Sequence, residues 1–201
     1  MFSLRHRLIL SLLLLLIFLF VTPVVQAAPA DIAGHWVEDS VKSLIEQGIL
    51  NGYPDGSFRP DQSITRAELA KTLATAYELT AASRQKQFTD TKGHWAEDFI
   101  AALTEAKIIT GYPDGSFKPE APVTRAEMVV MLTRLLKIGT EEEHYTIEFI
   151  PTFSDLADDY WAFYQIEMAA KLGLLPRYYG PEFNPSRLAS RADTAWMLQQ
   201  L

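Results

Sequence analysis

The seven letters GYPDGSF occupy residues 52–58 and recur at 111–117, fifty-nine positions later, and that repetition restricts the fold more than anything else in the chain. Sliding the sequence by the same interval aligns His35-Trp36 with His94-Trp95. It also aligns Thr65-Arg66-Ala67-Glu68 with Thr124-Arg125-Ala126-Glu127. A further slide places Trp161 on Trp95, Phe183 on Phe117, Pro185 on Pro119, Arg191 on Arg125 and Asp193 on Glu127. Units of about fifty residues at a fixed period are supersecondary repeats, each unable to bury its apolar face alone. Three of them are expected at 31–80, 88–137 and 153–201, separated by a linker at 138–152 and forming one cooperative domain over 31–201.

Each unit reads as helix, loop, helix. In the first, Val37, Val41, Leu44 and Ile45 recur at helical spacing, with Gly48 where a C-terminal cap belongs. The counterparts run from Ala96 through Leu103 and from about Ala162 to Lys171. Second helices are predicted from Arg66 to about Leu79, from Arg125 to Leu136 and from Arg191 to the C-terminus, with Leu69, Ala70, Leu73, Ala74 and Tyr77 facing inward. Pro-Asp-Gly between the helices is strong turn chemistry. The third copy reads RYYGPEF (177–183), so its turn must take a different backbone path.

Residues 1–27 read as an export signal. Arg5, His6 and Arg7 precede a fourteen-residue apolar run from Leu8 to Val21, then Pro23 and small residues. A membrane-spanning helix wants about 20 residues. Cleavage is expected after Ala27 or Ala30, leaving about 174 residues, enough for one ordinary domain. Loss of Arg5 and Arg7 deepens a formal net charge of −7. A chain that acidic, without a basic run, is a poor partner for nucleic acid, and no stable membrane insertion is expected once the signal is removed. The chain has no cysteine, so neither a disulfide nor a lipid-modified cysteine is available.

ITRAEL (64–69) is a capping box with a hydrophobic staple, and VTRAEM (123–128) repeats it. ASRADT (189–194) keeps the serine but has a shorter acid and a poor staple, predicting a looser helix start. Capping does not explain the arginine. Arg66, Arg125 and Arg191 stand at the first helical position, where the helix dipole disfavours a cation by a few tenths to about 1 kcal/mol. Two readings remain open: an external carboxylate or phosphate gripped by the guanidinium beside free helix N–H groups, or a salt bridge to a carboxylate of the same or a neighbouring repeat. On the first, Arg66 and Arg125 are dispensable for folding and required for binding.

Trp36, Trp95 and Trp161 begin the first helices. Core packing is the ordinary fate of so large an apolar side chain, but an indole beside an arginine also suits a sugar ring bearing an acid. His35 and His94 become Tyr160 in the third unit, which favours a hydrogen bond near the helix start over a ligand role. Asp31, Asp90 and Asp155 read as turn caps, or as acceptors for sugar hydroxyls. Tyr53 and Tyr112 pin the turn and are possible loop contacts for a ligand. No nucleophile motif, zinc-ligand spacing or phosphate loop is present, and the turn lacks the alternating oxygens of a calcium loop, so no enzyme activity, metal or cofactor is expected.

Together, FTDTKGHWAEDFIAAL (88–103), GYPDGSFKP (111–119) and VTRAE (123–127) resemble the S-layer homology family over almost the whole chain from Asp31 to Leu201. The resemblance implies an all-α fold, three repeats in pseudo-threefold arrangement around a central three-helix bundle. It implies inter-repeat grooves for an anionic secondary cell-wall polysaccharide attached to peptidoglycan, commonly pyruvylated, at the cell wall or S-layer. Within those grooves it assigns the acidic group to Arg66, Arg125 and Arg191, and further contacts to the aspartates and tryptophans just named. A second class stays open: an envelope structural or assembly protein binding another protein through the same surface.

Overall fold

The computed structural model describes residues 28–82, 88–137 and 151–201; the signal reading at 1–27 and most of the linker at 138–152 lie outside them. The described residues hold six α-helices: α1 (Glu38–Glu46), α2 (Arg66–Ala76), α3 (Glu97–Glu105), α4 (Arg125–Leu135), α5 (Phe163–Lys171) and α6 (Arg191–Gln199). They contain no strand, only three isolated antiparallel bridges that join the segments entering α2, α4 and α6. No helix among them is long and apolar enough to cross a membrane.

The first helix of each repeat buries one stripe, such as Val41 and Leu44 of α1 or Ile100 and Leu103 of α3. The second helices are buried nearly all round: α4 hides Ala126, Met128, Val129, Val130, Met131, Leu132 and Thr133, the pattern of a central helix. The extensive helix contacts all cross between repeats, pairing α2 with α3, α4 with α5, and α6 with α1. The chain therefore closes on itself in a cycle.

That cycle is tied at the helix starts. The Ile64 N–H donates to the Ala189 carbonyl, Ala189 to Val123, and Val123 back to Ile64, at 3.0, 2.8 and 3.0 Å. The first two N–H groups of α2 donate to Ala121 and Pro119, those of α4 to Arg187 and Pro185, and those of α6 to Gln62 and Pro60. The third N–H is taken by the capping hydroxyl of Thr65, Thr124 or Ser190. In α2, α4 and α6 the helix-start donors that lack an intrahelical partner are thus satisfied, and the free N–H groups expected beside the arginines do not exist.

Two expectations need correcting. α2 stops at Ala76, because Glu78 turns left-handed (φ 51°), and Tyr77 lies 37% exposed instead of facing inward. The third helix start is not loose: Ser190 and Asp193 complete a full capping box, and Asp193 is buried. In the second repeat, where no glycine follows the first helix, Lys107 takes the left-handed conformation (φ 59°) that Gly48 and Gly173 adopt in the others.

The third turn does take another path, a short 3-10 segment Arg177–Tyr179 followed by Gly180 at φ 66°. A steric reason is visible in the second repeat, where a Cβ on Gly111 would sit 2.2 Å from the Phe88 ring and 2.7 Å from the Ser116 carbonyl. Arg177 replaces that glycine while Phe153 and Phe183 retain their ring contact at 5.3 Å, so the backbone must shift. Gly111→Ala should cost about 1–3 kcal/mol through overpacking, read as a lowered urea midpoint with unchanged slope.

Candidate functional site

Three clefts lie between the repeats, and each draws residues from all three. One contains Arg66, the Gly111-Tyr112 turn, Glu127, Arg134 and Trp161. A second contains Arg191, the Gly52-Tyr53 turn, Glu68, Lys71 and Trp95. The third contains Arg125, Tyr178, Asp193, Arg187 and Trp36. Their volumes are about 170, 180 and 570 Å³. The cleft built with the divergent third turn is therefore the most spacious.

The tryptophans do not pack into the core. Trp36, Trp95 and Trp161 are 45%, 55% and 57% exposed at the cleft mouths. In the first two repeats a histidine ties the helix start that presents the indole. Nδ1 of His35 accepts the Val37 N–H at 3.3 Å, which leaves the proton on Nε2, facing Asp61 at 3.4 Å. His94 does the same between Ala96 and Glu120. In the third cleft Trp36 also meets Tyr178 and Trp196, with ring centroids 5.0 and 5.9 Å apart.

The arginines are buried, with 3%, 2% and 8% exposure for Arg66, Arg125 and Arg191. Arg66 donates from Nε to the Phe117 carbonyl (2.8 Å) and from Nη2 to Thr110 (3.2 Å), while Nη1 faces Glu127 at 3.5 Å. Arg191 repeats this with Phe58, Asn51 and Glu68. The guanidinium carbons lie 4.5 Å from the centroids of the Phe117 and Phe58 rings, within cation–π range. The cation at the helix start is thus compensated from the next repeat, by carbonyls, a ring face and a carboxylate. Arg125 differs. It donates from Nη1 to the Phe183 carbonyl at 2.9 Å and stacks 3.7 Å from the Tyr179 ring centroid, but its buried Nε has no partner.

Glu68 and Glu127 serve three neighbours each. Oε2 of Glu68 closes the capping box on Thr65, and Oε1 accepts the Tyr53 hydroxyl at 2.9 Å while facing Arg191. Tyr112 donates to Glu127 and Tyr178 to Asp193 in the same way. Burial, then the carboxylate partner, raises the Tyr53 and Tyr178 pKa values, so both phenols remain donors.

Asp31, Asp90 and Asp155 hold loops. Asp31 accepts the N–H groups of Phe58 and Arg59, Asp90 those of Phe117 and Lys118, and Asp155 those of Phe183 and Asn184. Arg59, Lys118 and Asn184 all have φ near the left-handed region's centre (58°, 57° and 56°), a conformation that costs a non-glycine residue roughly 1–2 kcal/mol. The aspartate pair of charge-assisted bonds offsets that cost. These clasps span 27 to 29 residues, so no local spacing rule points to them, and sequence reasoning missed them.

Among known proteins, the S-layer homology domain model matches residues 30–70, 87–129 and 152–195. The chain is 38% identical over 153 residues, 69% of its length, to Cell surface glycoprotein 1 of Acetivibrio thermocellus, and 37% identical over 137 residues (66%) to that organism's Cellulosome-anchoring protein. It is 31% identical over 179 residues (87%) to S-layer protein EA1 of Bacillus anthracis. The matched segments make up only 6%, 30% and 20% of those relatives.

Two outcomes are expected. Arg66→Ala should cost about 3–5 kcal/mol, since it leaves Glu127 and two carbonyls without their buried partner, and should appear as a large fall in the urea midpoint; retention of wild-type stability would contradict the buried arrangement. For Asp31, slight burial pushes the carboxyl up but the Phe58 and Arg59 N–H bonds outweigh it, so its folded pKa lies below the ordinary value. A depressed carboxylate contributes stability above its unfolded pKa of about 3.9, lost as pH falls through the folded value. Asp31→Asn should therefore flatten the decline of the thermal midpoint as the pH falls below about 4.

Proposed function

The chain belongs to the S-layer homology family, and from that premise we propose that it is a non-catalytic, exported module that holds to the bacterial envelope. Its ligand on this reading is an anionic, pyruvylated secondary cell-wall polysaccharide. The observation that carries the reading is the threefold recurrence of one arrangement. An indole about half exposed stands at the mouth of an inter-repeat cleft whose wall contains a buried guanidinium. An aromatic face suits the apolar side of a sugar ring, and the positive wall suits an acidic substituent.

The roles divide accordingly. Trp36, Trp95 and Trp161 stack against sugar rings. Tyr53 and Tyr112 line the clefts while donating to a glutamate. Arg66, Arg125 and Arg191 supply positive potential, and Asp31, Asp90 and Asp155 act through the loops that they clasp. Catalysis is disfavoured by the same geometry, since Glu68 and Glu127 already engage a backbone N–H, a phenol and a guanidinium. Several modest clefts on one polymer gain avidity by effective concentration. The names Cellulosome-anchoring protein and Cell surface glycoprotein 1 among its relatives accord with attachment at the cell surface.

Sedimentation with purified sacculi tests this. The chain should pellet with intact sacculi and stay in solution after selective removal of the attached polysaccharide; pelleting with stripped sacculi would overturn the reading. Trp95→Ala combined with Trp161→Ala should weaken binding about tenfold through lost stacking, with the thermal midpoint nearly unchanged.

A further inference from the structure

Tyr53, Tyr112 and Tyr178 hold equivalent places in the three turns, but only the first two carry a cation of their own loop over the ring. The Arg59 guanidinium carbon lies 4.1 Å from the Tyr53 ring centroid and the Lys118 ammonium 4.2 Å from that of Tyr112, within cation–π range. Asp55 and Asp114 steady those cations at 2.7 and 3.9 Å. In the third unit Asn184 stands where the cation would be, and Gly180 replaces the aspartate. Tyr178 is accordingly 49% exposed, whereas Tyr53 and Tyr112 are half-buried. Its hydroxyl still donates to Asp193, so the ring is held in place.

The largest cleft thereby has two aromatic platforms. Trp36 and Tyr178 both line it, with ring centroids 5.0 Å apart and planes inclined at 58°. Two planes at that angle cannot both lie flat against one sugar ring. The cleft also measures about 570 Å³, against about 170 and 180 Å³ for the other two. Building on the glycan-binding reading, we infer that this cleft takes two consecutive sugar units of the acidic polymer, whereas the others take one each. Trp36 and Arg125 receive the acid-bearing unit, as their counterparts do in the smaller clefts. Tyr178 is the platform for the unit next to it, because the apolar side of a sugar ring can cover an aromatic face that no cation already occupies. The guanidinium carbon of Arg125 is 5.7 Å from the Tyr178 centroid, so the two subsites adjoin. Divergence of the third turn has on this account added a subsite.

Each cleft has its own tryptophan at the mouth, so indole N–H resonances in a nuclear magnetic resonance titration report the three separately. The probes are fragments one and two sugar units long, cut from purified wall polysaccharide and each bearing one acid. At Trp36 the two-unit fragment should bind about tenfold more tightly than the one-unit fragment through the added stacking, while at Trp95 and Trp161 the two should bind alike. Tyr178→Ala should bring the Trp36 ratio close to one. Tyr178→Phe, which loses the same bond to Asp193 but keeps the ring, should preserve it. The ratio is internal to each protein, so a general loss of affinity does not imitate the result. Equal ratios at all three indoles of the wild type would overturn the inference, as would a Trp36 ratio that Tyr178→Ala leaves intact. A chain in which no indole responds to either fragment would instead defeat the glycan-binding reading itself.

Discussion

Each repeat leaves the first turn of its second helix incomplete, and the next repeat completes it. A helix start exposes N–H groups that need acceptors, and here two of them in every second helix are satisfied only by the loop of the following unit. The ring from Ile64 to Ala189 to Val123 closes the same dependence at the centre. Any one of these bonds contributes about 0.5–1.5 kcal/mol. Their effect is larger than that figure, because removing a repeat would leave buried donors without partners on the others. The clefts are consequences of this closure, since each lies where three units have been drawn to a fixed distance.

The arginine at each helix start belongs to the same system. Alone on an isolated helix it would oppose the dipole. In the closed cycle Arg66 and Arg191 reach into the next unit, where the Phe117 and Phe58 carbonyls and the carboxylates of Glu127 and Glu68 accept them. The glutamate that caps one helix therefore also receives the cation of the preceding one. Capping, turn position and inter-repeat contact are coupled through that single side chain, while the tyrosine hydroxyl fixes the turn to the same carboxylate.

What could be read from the sequence follows from how local each interaction is. The first two capping boxes, the turn residues and the helix-start histidines act within a few residues and were legible, as was the three-unit division, from the repeat itself. The partners of Asp31, Asp90 and Asp155 lie 27 to 29 residues away, and those of Arg66, Arg125 and Arg191 lie in another repeat. A periodic pattern looks the same whether a helix packs on its own unit or on its neighbour, so it left open whether the arginine's carboxylate lay in its own repeat or in the next. The same limit explains Asp193. Its side chain looked too short for a capping box, yet Asp193 still reaches the Ser190 N–H at 2.8 Å, in a helix start held by Gln62 and Pro60 of the first repeat.

Symmetry in the frame does not extend to the chemistry it presents. Five residues past the helix-start arginine stand Lys71, Val130 and Trp196 in the three units. They give one cleft a cation, one an aliphatic wall, and the third an indole against Trp36. None of the three carries a capping or ring-closing bond, so the cycle tolerates the variation, whereas the buried arginine and its carbonyl acceptors admit little change. A fold that puts its stability into positions repeated around the axis leaves the intervening cleft positions free to differ. Three nearly equal frames can therefore present three unequal clefts.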